Sequence, residues 1–412
     1  MRTRSGGDVH PVSQDEREGR DLILEEYRET TYRRFDGLVS TIYDSGDGAT
    51  AMELSDILDG GRVRDWQTVD ADAVDPVRFA VIGLGWFTET RALPALEKSD
   101  SCAPSVLVSG STEKAERIAA TTEGATRGIT YEEFHDGAAR DAYDAVYIVT
   151  PNALHLEYVE TAAALGKAVL CEKPMERDGE RAAELRDAAI DAGVDLMIAY
   201  RMHTEPAVRR ARELVAGGFV GEPMSVTGDM SQRLLDRVDP DPDQWRLDEE
   251  LAGGGALFDI GIYPLNTARF LLDADPVAVT GNTSSTHDAF DDVDETVAFS
   301  IAFPDEVYGQ CYASHNASQS SSITVTGTEG QVRVEPAFFQ DQDRELHVTR
   351  SGRRASVTIE RVDQMLAEFD YFADRVRGDE SIYPDGDHGL IDLRTMEAVY
   401  EAAETDRWVD VE

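Results

Sequence analysis

Val77-Arg78-Phe79-Ala80-Val81-Ile82-Gly83-Leu84-Gly85-Trp86-Phe87-Thr88 is the stretch that decides the fold. A short, nearly continuous apolar run that stops at glycine has the length of a strand buried on both faces and is too short for a helix. The amphipathic stretch Glu89–Lys98 follows it. A strand that turns into a helix through Gly-x-Gly leaves unpaired backbone N–H groups at the helix N-terminus, where an anion such as a pyrophosphate is held. Gly83 permits the tight turn, and Gly85 lets the backbone approach the phosphates, with Trp86 and Phe87 beside them. Thr88 stands where a third Gly or Ala is usual, so the fingerprint is incomplete and draws its weight from the strand before it and the helix after it.

The alternation continues downstream. Ser105–Val108, Ala145–Val149, Ala168–Cys171 and Leu196–Ala199 read as further buried strands, and Thr112–Ala120, His155–Leu165 and Glu180–Ala192 have helical spacing. Strands and helices in turn build βαβ units, hence a Rossmann-type, doubly wound parallel sheet over residues 77–199. After Tyr200 the rhythm changes. A helix at Ala207–Ala216 leads to a strand at Pro223–Met230, and a Gly-rich turn and helix occupy Gly253–Leu272. Val277–Gly281, Thr296–Phe303, Val307–Ala313, Ser322–Gly327, Gln331–Val334, Glu345–Thr349 and Ala355–Ile359 then follow as strands with few helices between them. Residues 200–412 are therefore expected to form an α+β substrate and oligomerisation domain with a large, mostly antiparallel open sheet, closed by helices at Gln364–Val376 and Leu390–Thr405. The whole is α/β in class.

Residues 1–76 stand apart as an N-terminal extension whose first twenty residues are polar and expected to be disordered. Leu22–Tyr43 has helical spacing. It is either an arm packed on the body or on a neighbouring subunit, or sequence upstream of a start at Met52; the residues alone do not separate these readings.

The end of the second strand decides which nucleotide binds. About 20 residues past the glycines, an NAD enzyme presents Asp or Glu to the ribose 2′-hydroxyl. Here the strand ends at Val108 and continues Ser109-Gly110-Ser111-Thr112-Glu113-Lys114. A carboxylate would repel a 2′-phosphate, whereas the hydroxyls of Ser109 and Ser111, helix-end amides and Lys114 would bind it. The plainer reading is a cap at Ser111 and a solvated lysine. In so acidic a chain the missing carboxylate favours NADP over NAD.

Two segments carry candidate chemistry. Ala168-Val169-Leu170-Cys171-Glu172-Lys173-Pro174 puts a lysine at the carboxyl end of a buried strand, where open α/β sheets hold their ligands. Pro174 biases Lys173 towards extended geometry. The second segment is Gly253-Gly254-Gly255-Ala256-Leu257-Phe258-Asp259-Ile260-Gly261-Ile262-Tyr263-Pro264, in which Asp259 and Tyr263 fall on one face if the chain is helical. Oxidising an alcohol requires a base for the hydroxyl proton while hydride leaves the carbon. A free phenol titrates at about pH 10, too high for an efficient base near neutrality, and a neighbouring ammonium favours the phenolate. Lys173 would supply that ammonium to Tyr263, with Asp259 orienting the lysine or the substrate. Against this, Tyr263 alone reads as a core aromatic.

Gly83-Leu84-Gly85, Thr150-Pro151-Asn152 with His155, Cys171-Glu172-Lys173-Pro174, Tyr200-Arg201 and Gly254-Gly255…Asp259…Tyr263 together resemble the glucose–fructose oxidoreductase and inositol dehydrogenase family over roughly residues 77–412, and look closest to its archaeal NADP-dependent, D-xylose-oxidising branch. The resemblance implies oxidation of an aldose at C1, with Tyr263 as acid/base and Lys173, of the Glu172-Lys173-Pro174 motif, touching substrate and nicotinamide ribose. It also implies that Thr150, Pro151 and Asn152 lie beside the nicotinamide and Arg201 near cofactor or substrate, with His155 structural. Trp245, Arg246 and Tyr312 stay open between a sugar pocket and ordinary core or surface. Another sugar, a trans-dihydrodiol, or a cofactor-binding regulator without catalysis are the alternatives; Lys173, Asp259 and Tyr263 weigh against the last.

Composition limits the setting. The formal net charge is −42, and only four of the 39 basic residues are lysines: Lys98, Lys114, Lys167 and Lys173. Such a surface disfavours nucleic acid and anionic membranes as partners. No apolar stretch has membrane-span length, and Cys102, Cys171 and Cys311 have neither metal spacing nor an even count, so a cytoplasmic protein with reduced thiols is expected. His203, His287 and His315 lack ligand spacing, and no metal is expected. The open sheet leads to an expected homodimer or homotetramer, with a small sugar as the other partner. Self-repulsion at this charge strains the compact state in dilute buffer, while in molar salt the Debye length falls to about 3 Å. A halophilic protein is the expectation: its melting temperature rises steeply from dilute to multimolar KCl, and an unchanged one contradicts the reading.

Overall fold

In the computed structural model, residues 66–71 and 74–411 are described. Val77–Ile82 forms β1 at the centre of a six-stranded sheet with Cys102–Ser109 (β2), Arg127–Thr130 (β3), Ala145–Ile148 (β4), Ala168–Glu172 (β5) and Leu196–Ala199 (β6), in the order β3-β2-β1-β4-β5-β6. Every pairing is parallel. The winding reverses between β1 and β4, which opens a crevice at their carboxyl ends. Strand β3 escaped the sequence reading because Arg127-Gly128-Ile129-Thr130 has a single buried apolar residue. Gly128 is there for close approach, since a Cβ would lie 2.3 Å from the Ala115 carbonyl carbon of the helix Thr112–Ala119.

The second sheet has nine strands: Pro223–Arg233 (β7), Ala278–Ser284 (β8), Thr296–Ala302 (β9), Tyr308–Ser314 (β10), Asn316–Gly327 (β11), Gly330–Glu335 (β12), Arg344–Arg350 (β13), Arg353–Ile359 (β14) and Val409–Asp410 (β15). Their order is β14-β13-β12-β11-β7-β10-β9-β8-β15, and all pairs are antiparallel except β7 with β10. The helix Ile262–Leu272 lies on this sheet across Gly228, where a Cβ would come within 2.7 Å of Pro264. That contact sets where Tyr263, one residue earlier, sits.

The two sheets interlock. The helix Gln364–Arg377 leaves the second sheet and covers one face of the first: Phe369 packs edge-on against Phe79 and Tyr147 at 5.3 and 5.0 Å, and Phe372 meets Phe79 at 5.5 Å. Such aromatic pairs contribute about 0.5–1.5 kcal/mol each beyond their buried area. The division of the chain at residue 200 did not foresee this return. The same helix holds the segment before β1, because Asp374 accepts the backbone N–H groups of Thr68 and Val69 at 2.7 Å each and Trp66 meets Tyr371 edge-on at 5.3 Å. The expected disorder of residues 1–20 and the expected helix Leu22–Tyr43 fall outside the described residues. Cys102, Cys171 and Cys311 are buried free thiols. Among the described residues no helix is long and apolar enough to cross a membrane.

Candidate active site

Gly83 has φ +97°, and a Cβ there would lie 2.5 Å from the Val149 carbonyl of the neighbouring strand, so only glycine makes this turn. Gly85 is the opposite case: a Cβ would meet nothing within 4 Å, and the backbone is open to a ligand. The helix begins at once, with Glu89 N–H donating to the Gly85 carbonyl at 3.1 Å. Thr88 replaces the third glycine without loss, because its buried hydroxyl donates back to the Gly83 carbonyl at 2.6 Å and closes the turn. Trp86 is exposed beside the turn, whereas Phe87 packs onto the core.

At the end of β2, the Ser109 hydroxyl accepts from Ser111 N–H at 3.3 Å, and the Ser111 hydroxyl caps the next helix by accepting from Lys114 N–H at 3.3 Å. Each hydroxyl keeps an O–H to donate. The Lys114 ammonium reaches across the cleft to within 3.5 Å of Glu89 on the helix that follows the glycines. The donors, the open Gly85 backbone and the absence of a carboxylate at the strand end fit a dinucleotide with a 2′-phosphate, for which Lys114 would exchange Glu89.

The segment after β4 is fixed by its own side chains. Asn152 is buried and donates to the Ala252 carbonyl at 2.8 Å, so its amide holds the start of the glycine triplet. The His155 ring is fully buried between the Thr150 carbonyl at 3.0 Å and the Met175 carbonyl at 3.1 Å, which braces Thr150-Pro151 against the chain after Lys173. Burial pushes the His155 imidazole below its usual range, partly offset by Glu176. Glu172 accepts from the Tyr147 hydroxyl at 2.7 Å and from Lys173 N–H at 3.2 Å.

Lys173, Asp259 and Tyr263 do meet. The glycine triplet packs too tightly for any methyl: a Cβ on Gly253 or Gly255 would lie 2.1 Å from the Arg177 or Asp294 carbonyl. This pins the start of a π-helical turn, Leu257–Gly261, which carries Asp259 and runs into the helix that carries Tyr263. The Lys173 ammonium donates to the Asp259 carbonyl at 2.9 Å, lies 3.6 Å from its carboxylate, and sits over the Tyr263 ring 5.0 Å from the centroid. Burial alone would raise the Asp259 carboxyl, but Lys173, Arg246 and His315 outweigh it and hold the group below the usual carboxylate range.

One placement differs from expectation. The cation on the phenol oxygen is Arg201, whose Nε and Nη2 donate to Tyr263 Oη at 2.9 and 2.6 Å, while Lys173 faces the ring. A guanidinium fork can satisfy both acceptor sites of one oxygen, and a lysine cannot do so with comparable geometry. The resemblance left Arg201 near cofactor or substrate, because nothing in Tyr200-Arg201 says where its side chain turns.

Two further groups reach the site: His315, weighed in the sequence only as a metal ligand, and Arg246, left open there between a sugar pocket and ordinary core or surface. His315, after β10, is buried with no hydrogen-bond partner on either ring nitrogen among the described residues, and its Nε2 lies 3.4 Å from the Asp259 carboxylate. Burial lowers its pKa and Asp259 partly restores it. Arg246, which stacks on Trp245 at 4.6 Å, reaches Asp259 at 3.8 Å. Tyr312 is exposed on β10 and alternates with Ala313, which packs towards Gly261, so it points to the far face of the sheet. A small pocket lies beside Lys173, Arg201 and Tyr263 and is walled by Ile262, Asn266 and Thr267.

A parallel sheet with a phosphate turn and a lysine at the carboxyl end of β5, joined to a second sheet whose helix brings a tyrosine to that edge, defines a nucleotide-dependent oxidoreductase. Residues 77–200 match the oxidoreductase family with an NAD-binding Rossmann fold, and residues 208–333 match the GFO/IDH/MocA C-terminal domain. The chain belongs to the GFO/IDH/MocA family. It is 56% identical over 359 residues to the D-xylose 1-dehydrogenase (NADP(+)) of Haloarcula marismortui, covering 87% of this chain and 99% of that protein. Identity to D-xylose 1-dehydrogenase (NADP(+)) 2 of Haloferax volcanii is 31% over 336 residues, 81% of this chain and 99% of the relative. Among solved structures, the aldose–aldose oxidoreductase of Caulobacter crescentus complexed with glycerol superposes with a TM-score of 0.76 at 32% identity, covering 82% of this chain and all of that one.

Proposed function

We propose that this protein is an NADP-dependent aldose 1-dehydrogenase that oxidises D-xylose at C1 to the lactone. The observation that carries the reading is the cluster of Lys173, Arg201 and Tyr263: one phenol with a guanidinium on its oxygen at 2.6 and 2.9 Å and an ammonium over its ring. The 56% identity to the Haloarcula marismortui D-xylose 1-dehydrogenase supports the choice of sugar and cofactor. Residues 77–199 carry the nucleotide, held by the turn Gly83–Phe87, by Ser109, Ser111 and Lys114, and by Thr150, Pro151 and Glu172. Residues 200–412 carry the sugar. The open nine-stranded sheet suits a homodimer or homotetramer, and the charge of −42 suits a salt-rich cytoplasm.

In this mechanism Tyr263 acts as its phenolate, whose oxygen keeps a lone pair beside the two that face Arg201; the sugar's C1 hydroxyl donates to it and hands over its proton as the C1–H bond breaks. NADP, when bound, supplies the acceptor for the hydride. Arg201 stabilises negative charge on the phenol oxygen, because both of its bonds there are charge-assisted. Lys173 is tethered by Asp259 and presents its remaining donors to the substrate. Asp259, ringed by Lys173, Arg246 and His315, stays ionised and fixes these three groups about the sugar.

Tyr263→Phe is expected to lower kcat/KM for D-xylose by about 10²–10⁴-fold, the usual contribution of a positioned general base, with NADP affinity kept. A fully active variant removes Tyr263 from the mechanism, and a silent sugar panel with intact NADP binding favours a regulator. Lys114→Ala is expected to reduce the NADP-over-NAD preference in kcat/KM by about tenfold, the loss of one charge-assisted contact to a phosphate. An unchanged ratio contradicts the assignment of the 2′-phosphate site.

A further inference from the structure

Behind the phenol a buried polar chain runs out to the far sheet. Arg201, which grips Tyr263 Oη, donates its Nη1 to Gln364 Oε1 at 2.8 Å. Gln364 Nε2 donates to Glu205 Oε2 at 2.5 Å, and Arg344 lies 3.6 Å from the same carboxylate oxygen. Gln364, Glu205 and Arg344 are each at most 2% exposed. They come from three places in the chain: the first residue of the helix Gln364–Arg377, the residue before the helix Pro206–Ala216, and the start of β13.

The order of charges along this chain is informative. A guanidinium only donates and a carboxylate only accepts, so the Gln364 amide has one orientation here, oxygen to Arg201 and nitrogen to Glu205. The amide gives Arg201 a fixed acceptor without a counter-charge. Glu205 is held one residue further away, where it faces Arg344. The other charged groups nearby are Lys173 and Asp259 on the substrate side, with Arg246 and His315 against Asp259, and Glu368 and Glu172 behind Arg201. Burial, and then Glu172, push the Glu368 carboxyl well above its usual range, towards the neutral form. Burial pushes the Arg344 guanidinium down, and Glu205 partly restores it.

We infer that Gln364 is a positioning residue for the reaction: linked to Glu205 and Arg344, it locks Arg201 onto the Tyr263 oxygen. The inference rests on Tyr263 being the base. Without the amide, Arg201 loses its Nη1 acceptor and swings among rotamers, and the phenol loses the two bonds that stabilise its negative form.

The test is the pH profile of kcat and kcat/KM for D-xylose in Gln364→Met and Gln364→Glu at fixed multimolar KCl, with active sites counted by NADP titration so that lost folding does not enter. Gln364→Met is expected to lower kcat about tenfold at neutral pH, to move the acid limb of kcat/KM upward by about one pH unit, and to leave KM for the sugar and NADP affinity within about twofold. Gln364→Glu keeps an oxygen acceptor for Arg201 and is expected to recover part of that loss. Overturning results are an acid limb that stays in place in Gln364→Met, or a Gln364→Glu variant as impaired as Gln364→Met. A Gln364→Met protein that binds no NADP overturns it too, since the residue then serves the fold. The outcomes are separable from the parent reading: a fully active Tyr263→Phe removes the base itself, whereas an unmoved limb beside an inactive Tyr263→Phe removes only Gln364.

Discussion

A guanidinium fork closed on a phenol oxygen is the contact on which the site depends. Arg201 follows β6 at the carboxyl edge of the parallel sheet, and Tyr263 lies in the first turn of a helix on the nine-stranded sheet, so their two bonds join the halves of the molecule at the phenol oxygen. Each side is held by packing that tolerates little. Gly228 lets Pro264 touch the second sheet, and the glycine triplet Gly253–Gly255 threads between backbones where a methyl would not fit. Phe369 and Phe372 clamp the helix Gln364–Arg377 to the first sheet, and the same helix begins with the amide that Arg201 uses as its anchor. Packing and chemistry share one element.

Much of this was legible in the sequence, and the limits are physical. Apolar runs and helical spacing placed β1, β4, β5 and β6, because strands buried on both faces have to be apolar, and Gly83-x-Gly85 announced the phosphate turn. Strand β3 was invisible because an edge strand with one inward residue carries no pattern. Lys173, Asp259 and Tyr263 were read as one constellation from strand-end position and helical spacing, and they converge. The Arg201 fork, the buried His315 ring beside Asp259 and the Gln364 amide were not, because they depend on where side chains turn after residues distant in sequence meet. The incomplete fingerprint at Thr88 had a local answer, a hydroxyl bonding its own turn, that only coordinates supply.

The scarcity of lysine sharpens the reading. Four lysines remain in a chain of 412 residues, and each has a defined partner: Lys98 with Asp363, Lys114 with Glu89, Lys167 with the Tyr143 carbonyl, and Lys173 with Asp259. Arginine carries the remaining positive charge, and its planar fork suits buried junctions such as Arg269, which bonds both Asp275 and Asp392 at 2.6 Å. An acidic surface and a small set of fixed interior cations are compatible demands, since the first is screened by salt and the second is shielded from it.

The most direct measurement is the pH dependence of kcat/KM for D-xylose in Arg201→Gln beside the parent enzyme, at constant KCl and with NADP affinity as the control for folding. The glutamine can still donate a hydrogen bond to the phenol but brings no charge. The account predicts an acid limb displaced to higher pH and a loss of about 10²-fold at neutrality, the scale of one preorganised donor at a developing charge. A profile that overlays the parent's would contradict it.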